Sequence, residues 1–155
     1  MVFCGMLLSA SSPTRARAAE DTWIPQEYAR ICEEAGGVYN IQPEFLESFI
    51  EAESSGDPRA TNGKCKGLMQ IHEAAHRDRM RQMGITDIYD PESNIRLGAS
   101  IIVDLFEMYG DDTAKAVMQY NGSSDAKRRA ADWDFTDYAN KVLNRAAELE
   151  RLHGK

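Results

Sequence analysis

Residues 43–56 read PEFLESFIEAESSG and carry the marks of an amphipathic helix with two defined ends. Pro43 suits a first helical turn, where the N–H that proline lacks would have no partner, and the Gly56-Asp57-Pro58 run predicts a stop after Ser54. At about 100° per residue, one apolar stripe collects Phe45, Leu46, Phe49 and Ile50. The stretch therefore predicts a helix from Pro43 to about Ser54 with one face in a hydrophobic core.

The acidic residues of this helix fall into two groups. Glu53 follows Phe49 by four residues and Ile50 by three, which puts it near the middle of the apolar stripe. A carboxyl that faces a core or a cleft loses solvation as an anion, so its pKa rises and it can hold the proton that a general acid needs. Two other interpretations stay open: a frayed last turn with Glu53 in solvent, or a pairing with an arginine. The remaining acids are predicted on the far side of the helix: Glu44, Glu47 and Glu51.

Helical signals also dominate the rest of the chain, which has no internal repeat and no long alternating run. The loop from Ser55 to Gly67 is the one place where a small hairpin is predicted. The fold class is therefore mainly α. Further helices are predicted from Pro25 to Gly36-Gly37, from about Glu73 to Met83, from the Asp90-Pro91 cap to Gly110, from the Asp111-Asp112-Thr113 cap to Tyr120, and from Asp134 onward.

Length and composition favour one compact, acidic domain. The 155 residues suit a single domain, and 43% hydrophobic residues provide enough apolar surface for a core. The 25 acidic residues outnumber the 18 basic ones and give a formal charge of -7, which argues against binding of nucleic-acid phosphates. Because no run of 18 apolar residues occurs, no membrane-spanning helix is predicted.

The first 18 residues have features of an export signal. A short apolar run from Val2 to Ala10 is followed by Ala16-Arg17-Ala18, which has the small-x-small form of a cleavage site. Residues 1–18 are therefore predicted to be a signal peptide or leader, and the protein is expected in the periplasm, the cell wall or outside the cell. No basic residue precedes the apolar run, so a disordered leader or a misplaced start is the alternative.

Cleavage after Ala18 would leave two of the three cysteines. Cys4 would be removed, and the pair Cys32 and Cys65 would remain, which an exported protein can join as a disulfide. We predict that bond for the exported form. Two independent thiols are the alternative.

Five motifs in consecutive order resemble those of the lytic transglycosylase domain with the goose-type lysozyme fold. The resemblance spans residues 24–152 and implies a single lysozyme-like domain. The motifs are Glu53-Ser54-Ser55-Gly56, Gly67-Leu68-Met69-Gln70-Ile71, Asp90-Pro91 with Asn94-Ile95-Arg96-Leu97-Gly98, Tyr120-Asn121-Gly122, and Tyr138 with Val142. The chain departs from the family pattern where Ser123-Ser124-Asp125 follows the Tyr-Asn motif, and in Cys65, just before the Gly-Leu-Met-Gln motif.

The resemblance implies an enzyme that cuts the β-1,4 bond between N-acetylmuramic acid and N-acetylglucosamine in bacterial peptidoglycan. Glu53 matches the catalytic acid, which protonates the glycosidic oxygen and then, as a carboxylate, takes the proton of the muramic C6 hydroxyl. Ring closure gives a 1,6-anhydro sugar, and neither a metal nor an organic cofactor is implied. The other implied roles are orientation of that carboxyl by Ser54, lining of the saccharide groove by Met69 and Gln70, sugar contacts from Tyr120 and Asn121, and a position near Glu53 for Tyr138.

Backbone and packing roles are expected for other motif residues. Gly67 and Gly98 are assigned to turns and close helix packing, since glycine lets backbones approach. Leu68 and Ile95 are expected in the core, and Arg96 is expected in a salt bridge.

A zinc-protease motif is a competing signal. His72-Glu73-Ala74-Ala75-His76 matches His-Glu-x-x-His, which on a helix places two imidazoles on one face. The extended form of the motif needs glycine at Arg79 and histidine at Gln82. Glu92 is the conceivable third ligand, and two surface histidines are the favoured interpretation.

Two further functions stay open beside the transglycosylase. A hydrolysing muramidase on the same fold would need a second carboxylate, for which Asp57 and Asp87 are the nearest loop candidates. The second alternative function is that of a non-catalytic peptidoglycan-binding assembly module. The basic triplet Lys127-Arg128-Arg129 is interpreted as a solvated loop, with contact to stem-peptide carboxylates as the alternative. A monomer is expected, and wall turnover, a secretion or conjugation apparatus and phage entry are equally compatible settings.

Overall fold

The computed structural model describes residues 23–110, 112–122, 126–132 and 134–155, with the backbone alone for 126–128. The predicted leader 1–18, Cys4, Asp111 and the Ser123–Asp125 departure lie outside the described residues. The described chain is mainly α-helical, as predicted. Its elements are α1 (Gln26–Tyr39), α2 (Pro43–Ser54), β1 (Cys65–Lys66), β2 (Ile71–His72), α3 (Arg77–Gln82), α4 (Pro91–Tyr109), α5 (Thr113–Tyr120), α6 (Ala126–Ala131) and α7 (Asp137–Leu152).

Local capping rules account for most helix ends. The bounds predicted for α2 are confirmed, and Ser55 ends that helix in the left-handed conformation. The Asp90 side chain accepts a hydrogen bond from the backbone N–H of Ser93 at 2.9 Å, which confirms it as the N-cap of α4. Gly110 ends α4 in the left-handed conformation. Asp112 caps α5 through the N–H of Lys115.

Several predicted bounds are wrong. α1 runs through Gly36-Gly37 to Tyr39, because Gly36 serves close packing, where a Cβ would lie 2.5 Å from the Ile41 carbonyl oxygen. The last helix begins at Asp137, since Thr136 rather than Asp134 accepts the capping bond, from Ala139.

The predicted loop holds one antiparallel bridge, between Thr61 and Lys66, and the two-stranded hairpin starts in this loop but extends beyond it. Its strands pair Cys65 with His72 and Lys66 with Ile71, so it spans the Gly-Leu-Met-Gln motif rather than closing before Gly67. The following helix, α3, starts at Arg77 and not near Glu73, because residues 73–76 form a turn.

The core is built around α2, which packs against α1 and most extensively against α7. Leu46, Phe49 and Ile50 are at most 1% exposed, so the apolar stripe is confirmed. α2 and α7 run antiparallel, because the end of α2 at Glu53 meets the start of α7 at Tyr138, while Glu44 meets His153 just past its end.

Glu44 and Glu47 correct the prediction of a solvent-facing side of α2. Each is only 2% exposed, because α1 and residues 153–155 cover the side that was expected in water. Glu51 is half-buried and receives the Nε–H of Arg145 from α7 at 2.6 Å. The helix is therefore enclosed on more than one side, and Glu44 and Glu51 meet partners instead of solvent.

The predicted disulfide is also wrong for this structure, in which Cys32 and Cys65 are free thiols. Cys32 is fully buried in α1 near Glu47 and Glu44. Cys65 lies in β1, within electrostatic range of Tyr120. The two thiols thus lie in separate elements, and Cys65 is only half-buried.

None of the described helices is long and apolar enough to cross a membrane.

Candidate active site

Glu53 lies in the last turn of α2, where its half-buried carboxyl meets the first turn of α7. The hydroxyl of Tyr138 donates a hydrogen bond to Glu53 Oε1 at 2.5 Å. Burial raises the pKa of Glu53 above its ordinary value, while the Tyr138 bond and the charge of Lys141 act in the opposite direction. The carboxyl therefore holds its proton to a higher pH than a solvated Glu, and it is neither frayed into solvent nor paired with an arginine.

Two tyrosines and a phenylalanine pack beside this carboxyl. The Tyr120 and Phe49 rings meet edge to face with centroids 4.8 Å apart, and Tyr138 lies 6.4 Å from Phe49. Burial and the nearby Glu53 raise the pKa of both tyrosines, so their hydroxyls stay protonated. The Tyr120 hydroxyl donates a hydrogen bond to the Met69 carbonyl oxygen at 2.9 Å. The aromatic cluster thereby joins α2, α5, α7 and the hairpin around Glu53.

The hairpin turn holds Gln70 in a rigid position. Its side-chain amide donates to the carbonyls of Ala60 and Gly67, both at 3.0 Å, and its backbone has a φ of 46°. Gly67 has a φ of 79°, and a Cβ there would lie 2.2 Å from the Asn94 side chain, so its predicted backbone role is confirmed.

Asn94 is a supporting residue that the sequence reasoning did not assign. It is fully buried; its Oδ1 accepts the N–H of Met69 at 2.8 Å, and its Nδ2 donates to the carbonyls of Lys66 and Ile88 at 3.1 and 2.8 Å. An amide on the apolar side of α4, within a quoted motif, was the signal that could have identified it. Asn94 therefore fixes the turn that carries Gln70.

Two of the predicted site residues, Met69 and Ser54, have other contacts in the structure. Met69 is fully buried, and its sulfur would lie 2.3 Å from a Cβ on Gly98. Its side chain thus belongs to the core, which corrects its predicted role in lining a saccharide groove. The Ser54 hydroxyl donates to the Ile50 carbonyl and accepts the N–H of Gly56, both at 3.2 Å, and so braces the helix end that carries Glu53.

The packing and ion-pair roles predicted for Leu68, Ile95 and Arg96 are confirmed, and the sugar contact predicted for Asn121 stays a prediction. Asn121 is exposed at the end of α5. Leu68 and Ile95 are fully buried, and Arg96 pairs with Glu92 at 3.5 Å.

The His-Glu-x-x-His match does not form a helical face. His72 lies in β2, Glu73 pairs with Lys66 at 2.5 Å, and His76 precedes the first residue of α3. The zinc-protease geometry requires both imidazoles on one helix, and that helix is absent from this described segment.

The two candidates for a second carboxylate, Asp57 and Asp87, accept hydrogen bonds within local turns. Asp57 Oδ1 accepts the N–H of Arg59, and Asp87 Oδ1 accepts the N–H of Tyr89, each at 2.8 Å. Both side chains are exposed, in the geometry of ordinary turn residues. The basic triplet gives one described side chain, that of Arg129, which pairs with Asp134 at 3.2 Å.

The fold and these contacts define a mainly helical domain in which the half-buried carboxyl of Glu53 lies beside two tyrosines. The family model described as Transglycosylase SLT domain matches residues 30–142, which is most of the described chain. The chain therefore belongs to the transglycosylase SLT family of enzymes.

Individual relatives agree with this assignment. A transglycosylase of Enterobacteria phage PRD1 is 31% identical over 111 residues, which are 71% of this chain and 40% of that protein. The invasion protein IagB of Salmonella typhi is 33% identical over 128 residues, covering 77% of this chain and 76% of that one. An inactive mutant of the lytic transglycosylase Slt from Pseudomonas aeruginosa shares the fold, with a TM-score of 0.72 and 18% identity over 89% of this chain and 27% of that chain.

Proposed function

We propose that this chain is a peptidoglycan lytic transglycosylase that cleaves the β-1,4 bond between N-acetylmuramic acid and N-acetylglucosamine and leaves 1,6-anhydromuramic ends. The observation that carries the proposal is the Glu53 carboxyl, half-buried, with a raised pKa and a hydrogen bond from Tyr138. The assignment to the transglycosylase SLT family supports the substrate class.

A single carboxyl suffices for both proton transfers. In the first step Glu53 gives its proton to the glycosidic oxygen as the C1–O bond breaks, and the N-acetylglucosamine end leaves as an alcohol. In the second step the Glu53 carboxylate takes the proton of the muramic C6 hydroxyl while O6 bonds to C1. Water is not consumed, and Glu53 ends protonated again. Tyr138 stabilises the intervening carboxylate, because a hydrogen bond to an ionised group is stronger than one to a neutral group.

The neighbouring polar groups suit a sugar ligand. Gln70 is fixed by the two hydrogen bonds that its side-chain amide donates. Asn121 is exposed beside Tyr120. Tyr120 and Tyr138 offer apolar rings on which a sugar can pack. We assign Gln70, Tyr120, Asn121 and Tyr138 to the saccharide groove, and Ser54 to support of the helix end.

The substrate also sets the site of action. Peptidoglycan lies outside the cytoplasmic membrane, so the proposal requires export, for which residues 1–18 are the predicted signal. We expect a monomer acting on glycan strands. The proposal includes association with a secretion, conjugation or phage apparatus as a setting, since one similar protein comes from a phage and another is named an invasion protein.

Product mass tests the proposal directly. Purified peptidoglycan is digested with the protein, and the released muropeptides are analysed by mass spectrometry. Their masses are compared with those from a digest by a hydrolysing muramidase. We expect products one water lighter than the muramidase products, with no new reducing ends. Reducing ends would establish the muramidase alternative, and glycan binding without release would establish the binding-module alternative.

A further inference from the structure

Two cations lie over one tyrosine ring beside the hairpin. The Arg59 guanidinium carbon is 5.7 Å from the centroid of the Tyr89 ring, and Lys66 Nζ is 5.8 Å from the same centroid. Both distances are within the range of a cation–π interaction. Arg59 is exposed and the other two residues are half-buried, so the three form an accessible cluster in a chain whose formal charge is -7.

The two cations of this cluster differ in what neutralises them. Lys66 Nζ pairs with Glu73 Oε2 at 2.5 Å. The Arg59 guanidinium has no carboxylate partner among the residues that the structure describes. Asp57, two residues away, uses its Oδ1 to accept the backbone N–H of Arg59 at 2.8 Å. The exposed guanidinium therefore keeps its N–H donors available for a ligand.

Short connections join Arg59 to the candidate active site. Arg59 follows Glu53 by six residues, and two consecutive backbone turn bonds of 3.2 Å fold residues 54–60. The side-chain amide of Gln70 donates to the carbonyl of Ala60, the residue after Arg59, at 3.0 Å. Arg59 thus lies next to a backbone group that anchors a residue assigned to the saccharide groove.

Asn94 fixes the other side of the cluster. Its buried amide donates to the carbonyls of Lys66 and of Ile88, the residue before Tyr89. The same side chain accepts the backbone N–H of Met69 in the hairpin turn at 2.8 Å. Because one buried side chain holds all three backbone segments, the Tyr89 ring has a fixed position relative to the hairpin turn.

The proposed substrate carries a group that an arginine binds well. In peptidoglycan, the muramic residue bears a stem peptide through the lactyl group on C3, and that peptide has free carboxylates. The peptide therefore begins one sugar ring away from the bond that Glu53 protonates. The planar fork of an arginine accommodates a carboxylate through two parallel N–H···O bonds.

We propose that Arg59, held over the Tyr89 ring, binds a carboxylate of the stem peptide, so that this chain prefers peptide-bearing glycan strands to bare glycan. Arg59 is then a specificity-determining residue, and Tyr89 is a positioning residue. The inference rests on the proposed function, which supplies the glycan and its orientation at Glu53.

Binding to two forms of one glycan tests this preference without turnover. Soluble strands with uncrosslinked stem peptides are prepared from purified peptidoglycan, and an amidase removes the peptides from half of the sample. Dissociation constants are measured by titration calorimetry with Glu53→Gln, in which cleavage is expected to be blocked. We expect the peptide-bearing strands to bind about tenfold more tightly, as for one hydrogen bond to a charged group.

Substitutions in the Glu53→Gln background assign the preference to Arg59. Adding Arg59→Gln should remove the preference and leave binding of peptide-free strands nearly unchanged. The fold should persist, because the bond to Asp57 comes from the backbone, and circular dichroism checks this. Arg59→Lys, which keeps the charge but loses the fork, should restore only part of the preference. Arg81→Gln, which removes a cation that is 73% exposed on α3, should keep the whole preference.

A third form of the strands tests the chemistry of the contact. Strands whose peptide carboxylates have been converted to amides should bind as weakly as the peptide-free strands. Equal affinity for peptide-bearing and peptide-free strands, a preference that survives Arg59→Gln or amidation, or an equal loss in Arg81→Gln would overturn this inference. Those results would leave the proposed function standing if the wild type still released 1,6-anhydromuramic products, whereas reducing products would overturn the proposed function alone.

Discussion

The α2–α7 pair has an acid with a raised pKa toward each end, but the two acids differ in access. Glu53 is half-buried and hydrogen-bonded to Tyr138, whereas Glu47 is 2% exposed and has an unpartnered oxygen. Burial is the main cause of the raised pKa in both. A raised pKa therefore marks a buried acid, and only contact with a ligand-accessible surface makes that acid a candidate for catalysis.

The largest expected difference between the two ends is in turnover. Glu53→Gln keeps the shape of the side chain but removes the transferable proton, so we expect peptidoglycan cleavage to fall by about 100-fold to 10,000-fold. Glycan binding and the folded state should be retained. Muropeptide release at pH 6, with glycan pull-down and circular dichroism, measures all three.

Glu47→Gln is the matched control at the other end. At pH 6 it should cleave within a few-fold of the wild type, because Glu47 is enclosed and cannot meet a substrate. Equal losses in both variants would mean that the comparison reports on folding rather than on access.

The second effect is on stability and follows from the pKa of Glu47. A raised pKa in the folded state means that the stabilising contribution is complete below the unfolded value near pH 4.5 and is lost as the pH rises to about 7. The shift corresponds to about 3 kcal/mol. We expect Glu47→Gln to gain about that much free energy of unfolding, relative to the wild type, between pH 4.5 and pH 8.

Denaturant unfolding across this pH range measures the difference. Glu107→Gln, on the exposed face of α4, should show no comparable trend. A pH-independent difference between wild type and Glu47→Gln would contradict the assignment of the shift to this residue.

The fold was largely predictable because its signals are local. The bounds of α2 and the caps of α4 and α5 follow from Pro43, Asp90 and Asp112 with their neighbours. Gly36 was misread as a stop because its true role, approach to the Ile41 carbonyl, depends on a contact made only after folding. Local rules describe ends that capping determines, and fail where packing determines them.

The candidate site was predictable in part for the same reason. The position of Glu53 on the apolar stripe follows from helical periodicity, and its neighbour Tyr138 came from the family resemblance. Periodicity also placed Glu44 and Glu47 in solvent, because it divides a helix into two faces and cannot show that α1 and residues 153–155 cover the second face. The burial of Met69 against Gly98 likewise depends on tertiary packing.

A smaller loss of turnover is expected when the hydrogen bond from Tyr138 to Glu53 is removed. Tyr138→Phe keeps the ring against Phe49 but loses the donor to Glu53, so kcat should fall about tenfold, as for a bond to a charged group. Because the Tyr138 bond lowers the pKa of Glu53, its loss should move the alkaline limb of the pH–rate profile to higher pH. An unchanged limb with reduced kcat would indicate a packing role alone.

The smallest effect on stability is expected at Glu51, between Glu47 and Glu53 on α2. This acid has Arg145 as a partner and is reached by water. Arg145 donates to Glu51 and, at 2.8 Å, to Glu148, and the Arg145 and Glu51 side chains are 21% and 29% exposed. Glu51→Gln leaves Arg145 its second carboxylate, so we expect a loss of about 0.5–1 kcal/mol in the free energy of unfolding and cleavage within twofold of the wild type. Because solvent ions screen such a pair, the loss should shrink in 1 M salt, as unfolding titrations at two ionic strengths would measure. A salt-independent loss above about 3 kcal/mol would instead be that of a broken buried pair, and access to water would no longer explain why the acids along α2 behave differently.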